Sequence, residues 1–285
     1  MKNFLLIDKN SILRKMKPYF NDERAQLWLG DFTEVSKHIE PESVDLIFTS
    51  PRYNANIEYA EGIVDFTSSE EYLNEIIDHI LKMYDLMKPG AHLGMVTPPY
   101  IRISKDENWE GNYKVEPYLS QIITKIYDTD FADDPLWFIG IKPWIKQGLK
   151  DFQFTSVGSM YNRPSLPVMW ECITFFRKGF KDRNGLKGKT PNEEFMKDMA
   201  YPWYMSGETA TQKLEHPTPF PAEIVRRVIR GFTRKGEVIM DPYVGSGTTA
   251  KVALKMGRYF IGCDIVEKYV KKTINRCRLD HVTIW

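Results

Sequence analysis

Cysteine is scarce in the 285-residue sequence, which contains only Cys172, Cys263 and Cys277. Three cysteines without a C-x-x-C pair can build neither a disulfide framework nor a four-ligand zinc site. The corresponding expectations are a reducing compartment and no bound metal.

Long apolar runs and an excess of charge of either sign are also missing. No apolar stretch approaches the roughly 18 residues of a membrane span, and Phe4–Ile7 is too short for a signal-peptide core. We therefore expect a cytoplasmic protein with no membrane partner. The 39 Lys and Arg residues nearly balance the 38 Asp and Glu residues. This balance excludes a histone-like polycation but leaves room for a local basic patch that binds nucleic acid.

Strand and helix patterns alternate in the first and last thirds of the sequence. Val44–Thr49 has the pattern of a buried strand, Ser68 and Glu71 have the spacing of a helix capping box, and Ala91–Val96 resumes as a strand. The last third has a strand, a helix and a strand at Val238–Met240, Thr248–Met256 and Tyr259–Cys263. This order predicts an α/β fold of Rossmann-like type with a mostly parallel central sheet.

The stretch from about residue 141 to residue 215 is the least regular, because proline and glycine interrupt it repeatedly. A single strong strand is predicted in it, at Val168–Phe176. We expect a small loop-rich insertion in one fold rather than an independent domain.

A glycine loop follows the Val238–Met240 strand and opens the next helix. Gly245 and Gly247 would let the backbone approach a ligand closely, and Asp264 lies 19 residues after Gly245, where an acid can hold ribose hydroxyls. The alternative is a tight strand-to-helix turn without a ligand. Only 38 residues follow Gly247, too few for a nicotinamide-binding sheet, and the Gly-Lys-Ser/Thr ending of a P-loop is missing. The remaining nucleoside cofactor is S-adenosylmethionine.

A second motif, Ser50-Pro51-Arg52-Tyr53, follows the Val44–Thr49 strand. Ligand loops gather at the carboxyl edge of a parallel sheet, so this turn can meet the glycine loop. Here the chain resembles the amino-methyltransferases of DNA, whose signature is Ser, Asp or Asn followed by Pro-Pro-Tyr. A catalytic motif that precedes the cofactor motif is typical of the beta group of that family.

The resemblance implies roles for residues along most of the chain. It makes Ser50, Pro51 and Tyr53 catalytic, and it places Trp170–Phe176 in a late strand of the sheet. The residues it assigns to the S-adenosylmethionine site are Asp31, Phe32, Thr218, Asp241, Pro242, Gly245, Ser246, Gly247, Thr248 and Asp264. Residues 1–140 would form the catalytic half of one methyltransferase domain, 141–215 its target-recognition region and 216–285 its cofactor-binding half.

The chemistry explains why such residues are needed. An exocyclic amine is a poor nucleophile because its lone pair is delocalised into the ring. The Ser50 side chain and the Pro51 carbonyl can each accept one N–H and aim that lone pair at the methyl group. Tyr53 would stack on a flipped-out base, a contact worth about 1–3 kcal/mol. The resemblance implies N4 of cytosine as the target, because serine before proline is commonest among the N4-cytosine enzymes of that family; N6 of adenine and an RNA amine are the alternatives.

Arg52 departs from the family signature, which has a second proline at this position. Arginine leaves the turn less rigid. It would either bring a cation to a DNA phosphate or mark an inactive, DNA-binding subunit.

A basic strip provides the predicted surface for double-stranded DNA. It consists of Arg177, Lys178, Lys181, Arg183, Lys187 and Lys189, with Asp182 as its one acid. Glycines within the strip suit a loop that follows a phosphate backbone. A solvated charged loop is the alternative. Further expected partners are a cognate restriction endonuclease and a second copy of the chain.

Overall fold

The computed structural model describes residues 16–60, 63–65, 67–104, 113–131, 134–147, 170–180, 192–206 and 220–281. The strands are β1 Phe20–Asn21, β2 Ala25–Leu29, β3 Val44–Thr49, β4 Glu58–Ala60, β5 Ile63–Val64, β6 Met87–Thr97, β7 Ile101–Ser104, β8 Tyr113–Glu116, β9 Leu136–Gln147, β10 Trp170–Lys178, β11 Trp203–Ser206, β12 Val238–Asp241 and β13 Tyr259–Asp264. The helices are α1 Phe32–Val35, α2 Ser69–Leu86, α3 Tyr118–Tyr127, α4 Asn192–Met199, α5 Ala222–Phe232, α6 Thr248–Lys255 and α7 Glu267–His281, with a 3₁₀ turn at Ser36–His38.

Nine of these strands form one sheet, in the order β1-β2-β13-β12-β3-β6-β10-β9-β11. The central run from β2 to β6 is parallel throughout. Strand β10 is antiparallel to both of its neighbours, β6 and β9. The sheet is therefore mixed but mostly parallel, which confirms the predicted fold class.

Helices cover both faces of the sheet. The core on one face joins β3 and β6 to α2 and α3, and the other joins β3 and β12 to α5, α6 and α7. In β3, Ile47 belongs to the first core while Leu46 and Phe48 belong to the second, because side chains alternate along a strand. Every residue of β3 is buried for this reason.

Helix α2 begins where the capping box predicts. The Ser68 side chain accepts from the Glu71 backbone N–H, and the Glu71 side chain accepts from the Ser68 N–H. Tyr72, Ile76 and Ile80 lie on its buried face. The following strand begins at Met87, four residues earlier than predicted, because Met87 already pairs with Val44. Lys88–Gly90 lie in a bulge between this pair and the next one, Leu46 with His92.

The middle of the chain contributes more to the sheet than the single strand that the sequence predicts. Within residues 141–215, β10, the larger part of β9 and the whole of β11 belong to the nine-stranded sheet. The prediction of one strand was wrong because proline and glycine were taken as signs of loops. In β9, Pro143 and Gly140 both pair with β10, opposite Cys172 and Phe175.

Candidate active site

The two sequence motifs lie side by side because β3 and β12 are paired strands. Ile239 and Met240 of β12 are in register with Leu46 and Ile47 of β3. At the carboxyl ends of these strands, Thr49 Oγ1 donates to Asp241 Oδ1 across 2.6 Å, although the two residues are 192 apart in sequence. This hydrogen bond connects the strand that leads to Ser50 with the strand that leads to the glycine loop.

Asp241 is only 1% exposed and does not line the cavity described below. Its Oδ1 also accepts the Tyr243 backbone N–H at 3.1 Å. Burial raises the pKa of its carboxyl to about 7, against the opposing effect of these hydrogen bonds. The prediction that Asp241 contacts the cofactor is corrected: the side chain is buried outside the cavity lining, and it holds the start of the glycine loop through Thr49 and the Tyr243 backbone.

The glycine loop has the backbone geometry that the sequence predicts. Gly245 and Gly247 have φ angles of 50° and 76°, in the left-handed region that favours glycine. A Cβ atom at Gly247 would come within 2.4 Å of Thr273 Oγ1. Asp264 fixes the loop from the neighbouring strand, because its carboxylate accepts the N–H groups of Gly245 at 2.8 Å and Val266 at 2.9 Å.

A cavity of about 290 Å³ opens above these strand ends. The predicted cofactor residues that line it are Asp31, Phe32, Pro242, Gly245, Ser246, Thr248 and Asp264. Ser50 and Arg52 also line it, so the second motif and the glycine loop face the same space. Gly247 lies outside the lining and acts through the backbone that it turns.

The lining fits a cationic nucleoside cofactor. Asp31 and Asp264 supply carboxylates, while Phe32, Phe220 and Val266 provide apolar surface for a heterocyclic base. The volume lies at the lower end of the roughly 300–1,000 Å³ of small-molecule sites. The loop between β12 and α6 leaves backbone N–H groups at the start of a helix, where a ligand can reach them. S-adenosylmethionine, which carries a sulfonium cation, matches this combination.

Ser50 begins a chain of polar side chains that leads away from the cavity. Its Oγ lies 3.1 Å from the Tyr53 hydroxyl, which donates to Glu171 Oε2 at 3.3 Å. Glu171, at the start of β10, is paired with Lys146 of β9. The Tyr53 ring is 8% exposed, and burial followed by the charge of Glu171 raises the pKa of its hydroxyl well above the ordinary value. Tyr53 therefore stays protonated, and its hydroxyl can donate a hydrogen bond to Glu171.

Arg52 is held by the protein and does not extend toward a phosphate. Its Nε donates to Glu75 Oε1 at 3.1 Å, and its second guanidinium nitrogen pairs with Oε2 of the same carboxylate. The guanidinium also lies over the Tyr72 ring, 5.4 Å from the ring centroid. The predicted DNA contact is thus corrected, because helix α2 already neutralises this cation.

The basic strip starts at the wrong edge of the sheet for a DNA contact near Ser50. Strand β10 is antiparallel to β6, so its first residues lie beside the carboxyl end of β3 and its last residues lie at the opposite edge. Arg177 and Lys178 are three and four residues beyond Thr174, which pairs with Met95, itself opposite Thr49. Four strand residues span about 13 Å.

Lys178 has a structural role instead. It is 4% exposed, and its Nζ donates to the carbonyl oxygens of Tyr84 at 3.0 Å and Met87 at 2.9 Å and pairs with Glu42 at 3.2 Å. A cation at the carboxyl end of α2 is also favoured by the dipole of the helix. Lys178 is therefore corrected from a DNA contact to a helix-end contact.

Glu75 and His79 are among the lining residues that the sequence reasoning missed. Glu75 and His79 lie one turn apart on α2, on the side that faces the cavity. His79 Nδ1 shares a hydrogen bond with the Tyr243 hydroxyl, and Nε2 lies 3.1 Å from Thr33 Oγ1. Burial lowers the pKa of His79 despite nearby carboxylates. Both residues occupy helical positions that periodicity alone assigns to an ordinary amphipathic helix, so no local signal identified them.

Several predicted site residues lie outside the described part of the chain. They are Thr218, Lys181, Arg183, Lys187 and Lys189. Among the residues that the structure does describe, no group of His, Cys, Asp and Glu side chains could hold a metal ion. None of the described helices is both long and apolar enough to cross a membrane.

Comparison with known proteins shows the family to which the chain belongs. The family model for DNA methylases of the N6 and N4 type matches residues 44–276. The Type II methyltransferase M.BamHI of Bacillus amyloliquefaciens is 25% identical over 284 residues, which cover 95% of this chain and 62% of the relative. The chain thus spans less than two thirds of the length of M.BamHI.

Two solved structures share the fold. TTHA0409 of Thermus thermophilus, solved with S-adenosyl-L-methionine, gives a TM-score of 0.67 at 22% identity, covering 91% of this chain and 95% of the other. The cytosine-N4-specific PvuII DNA methyltransferase gives a TM-score of 0.63 at 16% identity, covering 92% and 89%.

The predictions of family, fold class and cofactor are confirmed at this level. The matched segment begins at β3 and ends in α7, so it contains the Ser50–Tyr53 turn, the glycine loop and the sheet between them. The chain belongs to the DNA methylase family of N6 and N4 amino-methyltransferases, which use S-adenosylmethionine.

Proposed function

We propose that the chain methylates an exocyclic amine of duplex DNA, with N4 of cytosine as the target, using S-adenosylmethionine as the methyl donor. The observation that carries this proposal is the position of Ser50: it lies on the wall of the cavity that the glycine loop and Asp264 also line. One motif can therefore present an amine to a methyl group held by the other.

The cofactor supplies an electrophilic methyl group when it is bound. Asp264 would accept hydrogen bonds from the ribose hydroxyls, since its carboxylate lines the cavity while loop N–H groups hold its orientation. Asp31 and Phe32 would contact the adenine, with the Phe32 ring as an apolar wall. The carboxylates Asp31 and Asp264 also favour a cation electrostatically.

The target amine would donate its two N–H groups to Ser50 Oγ and to the Pro51 carbonyl. Glu171 orients the Tyr53 hydroxyl, which in turn contacts the Ser50 hydroxyl. Because a carboxylate only accepts, Tyr53 donates to Glu171, and the Ser50 hydroxyl can donate to Tyr53 or to the Val96 carbonyl oxygen 3.5 Å away. Either arrangement leaves the Ser50 lone pairs free for the amine. The target base must leave the DNA double helix to reach this position. Because the Tyr53 ring is buried and does not line the cavity, Tyr53 would act through its hydroxyl and not by stacking on the base.

The region that recognises the target sequence and the partners of the chain are proposed from its similarity to the family. We assign target recognition to the region from 141 to 215, and the Type II character of M.BamHI supports a specific duplex site within a restriction–modification system. A cognate endonuclease and a homodimer remain proposals of the same kind.

Incubation of the purified chain with labelled S-adenosylmethionine and duplex DNA tests the proposal. Digestion to nucleosides should yield N4-methylcytosine. If N6-methyladenine is found in its place, the target is adenine and not cytosine. Ser50→Ala should abolish transfer with little change in cofactor affinity, because Ser50 acts on the amine. Full activity of this variant would remove Ser50 from the mechanism, and DNA binding without any transfer by the wild-type chain would indicate a binding subunit.

A further inference from the structure

We propose that the ion pair between Arg52 and Glu75 fixes the catalytic turn, in place of the second proline of the family signature. Glu75 is then a positioning residue that acts through Arg52. The inference rests on the proposed roles of Ser50 and Pro51, because it concerns how accurately their two acceptor oxygens are held.

Helix α2 holds Arg52 at both its side chain and its backbone. The Glu75 carboxylate takes two donors from the guanidinium, a geometry that fixes direction as well as distance. The Tyr72 hydroxyl donates to the Arg52 carbonyl oxygen at 2.8 Å, while the Tyr72 ring lies under the guanidinium. Arg52, the residue that follows Pro51, is therefore attached to the helix through both its side chain and its carbonyl group.

The helix is a firm support for these contacts. Its amino end carries the capping box, and Tyr72 and Ile76 on either side of the contact region are 2% and 1% exposed. Proline would restrict φ of residue 52 through its ring, whereas arginine leaves that angle free. The contacts to α2 supply by tertiary structure the restriction that the ring would supply covalently.

The pair also settles the charge of the cavity wall. Arg52 and Glu75 both line the cavity that the proposed function assigns to a sulfonium cofactor. Burial acts to lower the pKa of Arg52, but the hydrogen bond and charge of Glu75 outweigh it and the pKa is raised. Arg52 thus stays cationic, and an unpaired guanidinium here would repel the cofactor. Because the Glu75 carboxylate lies beside it, Arg52 adds no net charge to the cavity wall when the two are counted together.

The variant Glu75→Gln separates these effects from general changes in α2. It frees the turn and leaves the guanidinium unpaired, so methyl transfer should slow by about 100-fold, the effect of a 1 Å misplacement. The dissociation constant for S-adenosylmethionine should rise as well. Glu70→Gln makes the same chemical change at an exposed position of the same helix and should match the wild-type chain.

The double variant Arg52→Pro, Glu75→Gln tests whether rigidity and neutrality suffice. It restores the proline and removes both charges, so most of the lost rate and affinity should return. Glu75→Gln indistinguishable from Glu70→Gln would overturn the inference. A double variant as slow as Glu75→Gln would also overturn it, because the guanidinium would then be needed for itself.

Arg52→Lys covers the case in which Glu75→Gln does not fold, as judged by circular dichroism. Lysine keeps the charge balance but cannot form the two-point contact, so transfer should slow while cofactor affinity stays constant. Unchanged transfer by this variant would contradict the inference. Methyl transfer by the wild-type chain tests the proposed function. The transfer rate of each variant relative to the wild type, together with its affinity for the cofactor, tests the role of the Arg52–Glu75 pair.

Discussion

Replacement of Asp241 by asparagine should remove a large pH dependence from the stability of the protein. The carboxyl is buried and its pKa is raised to about 7, from an ordinary value of 3.8. Between these values the native chain keeps a proton that the unfolded chain releases. The stabilisation associated with that proton is complete below about pH 4 and is lost as the pH rises through 7.

The magnitude follows from the size of the shift. A difference of about three pH units at about 1.36 kcal/mol each corresponds to at most about 4 kcal/mol. Urea unfolding of the wild type and of Asp241→Asn from pH 4 to pH 8 gives the difference in unfolding free energy at each pH. As the pH rises, the unfolding free energy of Asp241→Asn should increase relative to that of the wild type, by at most about 4 kcal/mol.

Other titrating groups are common to both chains and cancel in the comparison. Asp128→Asn, an exposed change of the same kind, serves as the control and should give a curve parallel to that of the wild type. Parallel curves for Asp241→Asn and the wild type would refute the reasoning, since they would mean that Asp241 is ionised in the native fold.

Two further substitutions test the loop and the hydroxyl chain. Gly247→Ala should destabilise the protein by about 1–3 kcal/mol in urea unfolding, because the new Cβ would meet Thr273 at a positive φ; a change within about 0.5 kcal/mol would contradict this geometry. Glu171→Gln should lower the transfer rate by up to about 100-fold without changing cofactor affinity, because an amide can donate to Tyr53 and turn the Ser50 hydroxyl toward the amine. Single-turnover rates and cofactor titration check this, and an unchanged rate would remove Glu171 from the orientation of Ser50.

Local signals were sufficient for the parts of the fold and site that the sequence predicted. Val44–Thr49 is a strand with the predicted bounds, and the capping box starts α2 at the predicted residue. The glycine loop lies at the end of its strand beside Asp264. Each of these features depends on a few neighbouring residues, whose spacing is visible in one sequence.

Long-range arrangement accounts for what the sequence left out. A buried strand has the same apolar pattern in either direction, so nothing local showed that β10 runs opposite to β6. The sequence therefore could not show that Arg177 and Lys178 of the basic strip lie toward the edge of the sheet opposite to Ser50. The pairing of Arg52 with Glu75 joins residues 23 apart on a turn and a helix, and it depends on how α2 packs over the sheet.

The reversed direction of β10 has a consequence for how such a protein can diversify. Strand β9 ends at Gln147 and β10 begins at Trp170, and both points lie at the edge where β3 delivers Ser50. The chain can thus gain or lose residues between these two points without altering a single pairing within the sheet. On the proposed assignment of target recognition to this region, selectivity for a DNA sequence can change without changing the part of the sheet that supports methyl transfer.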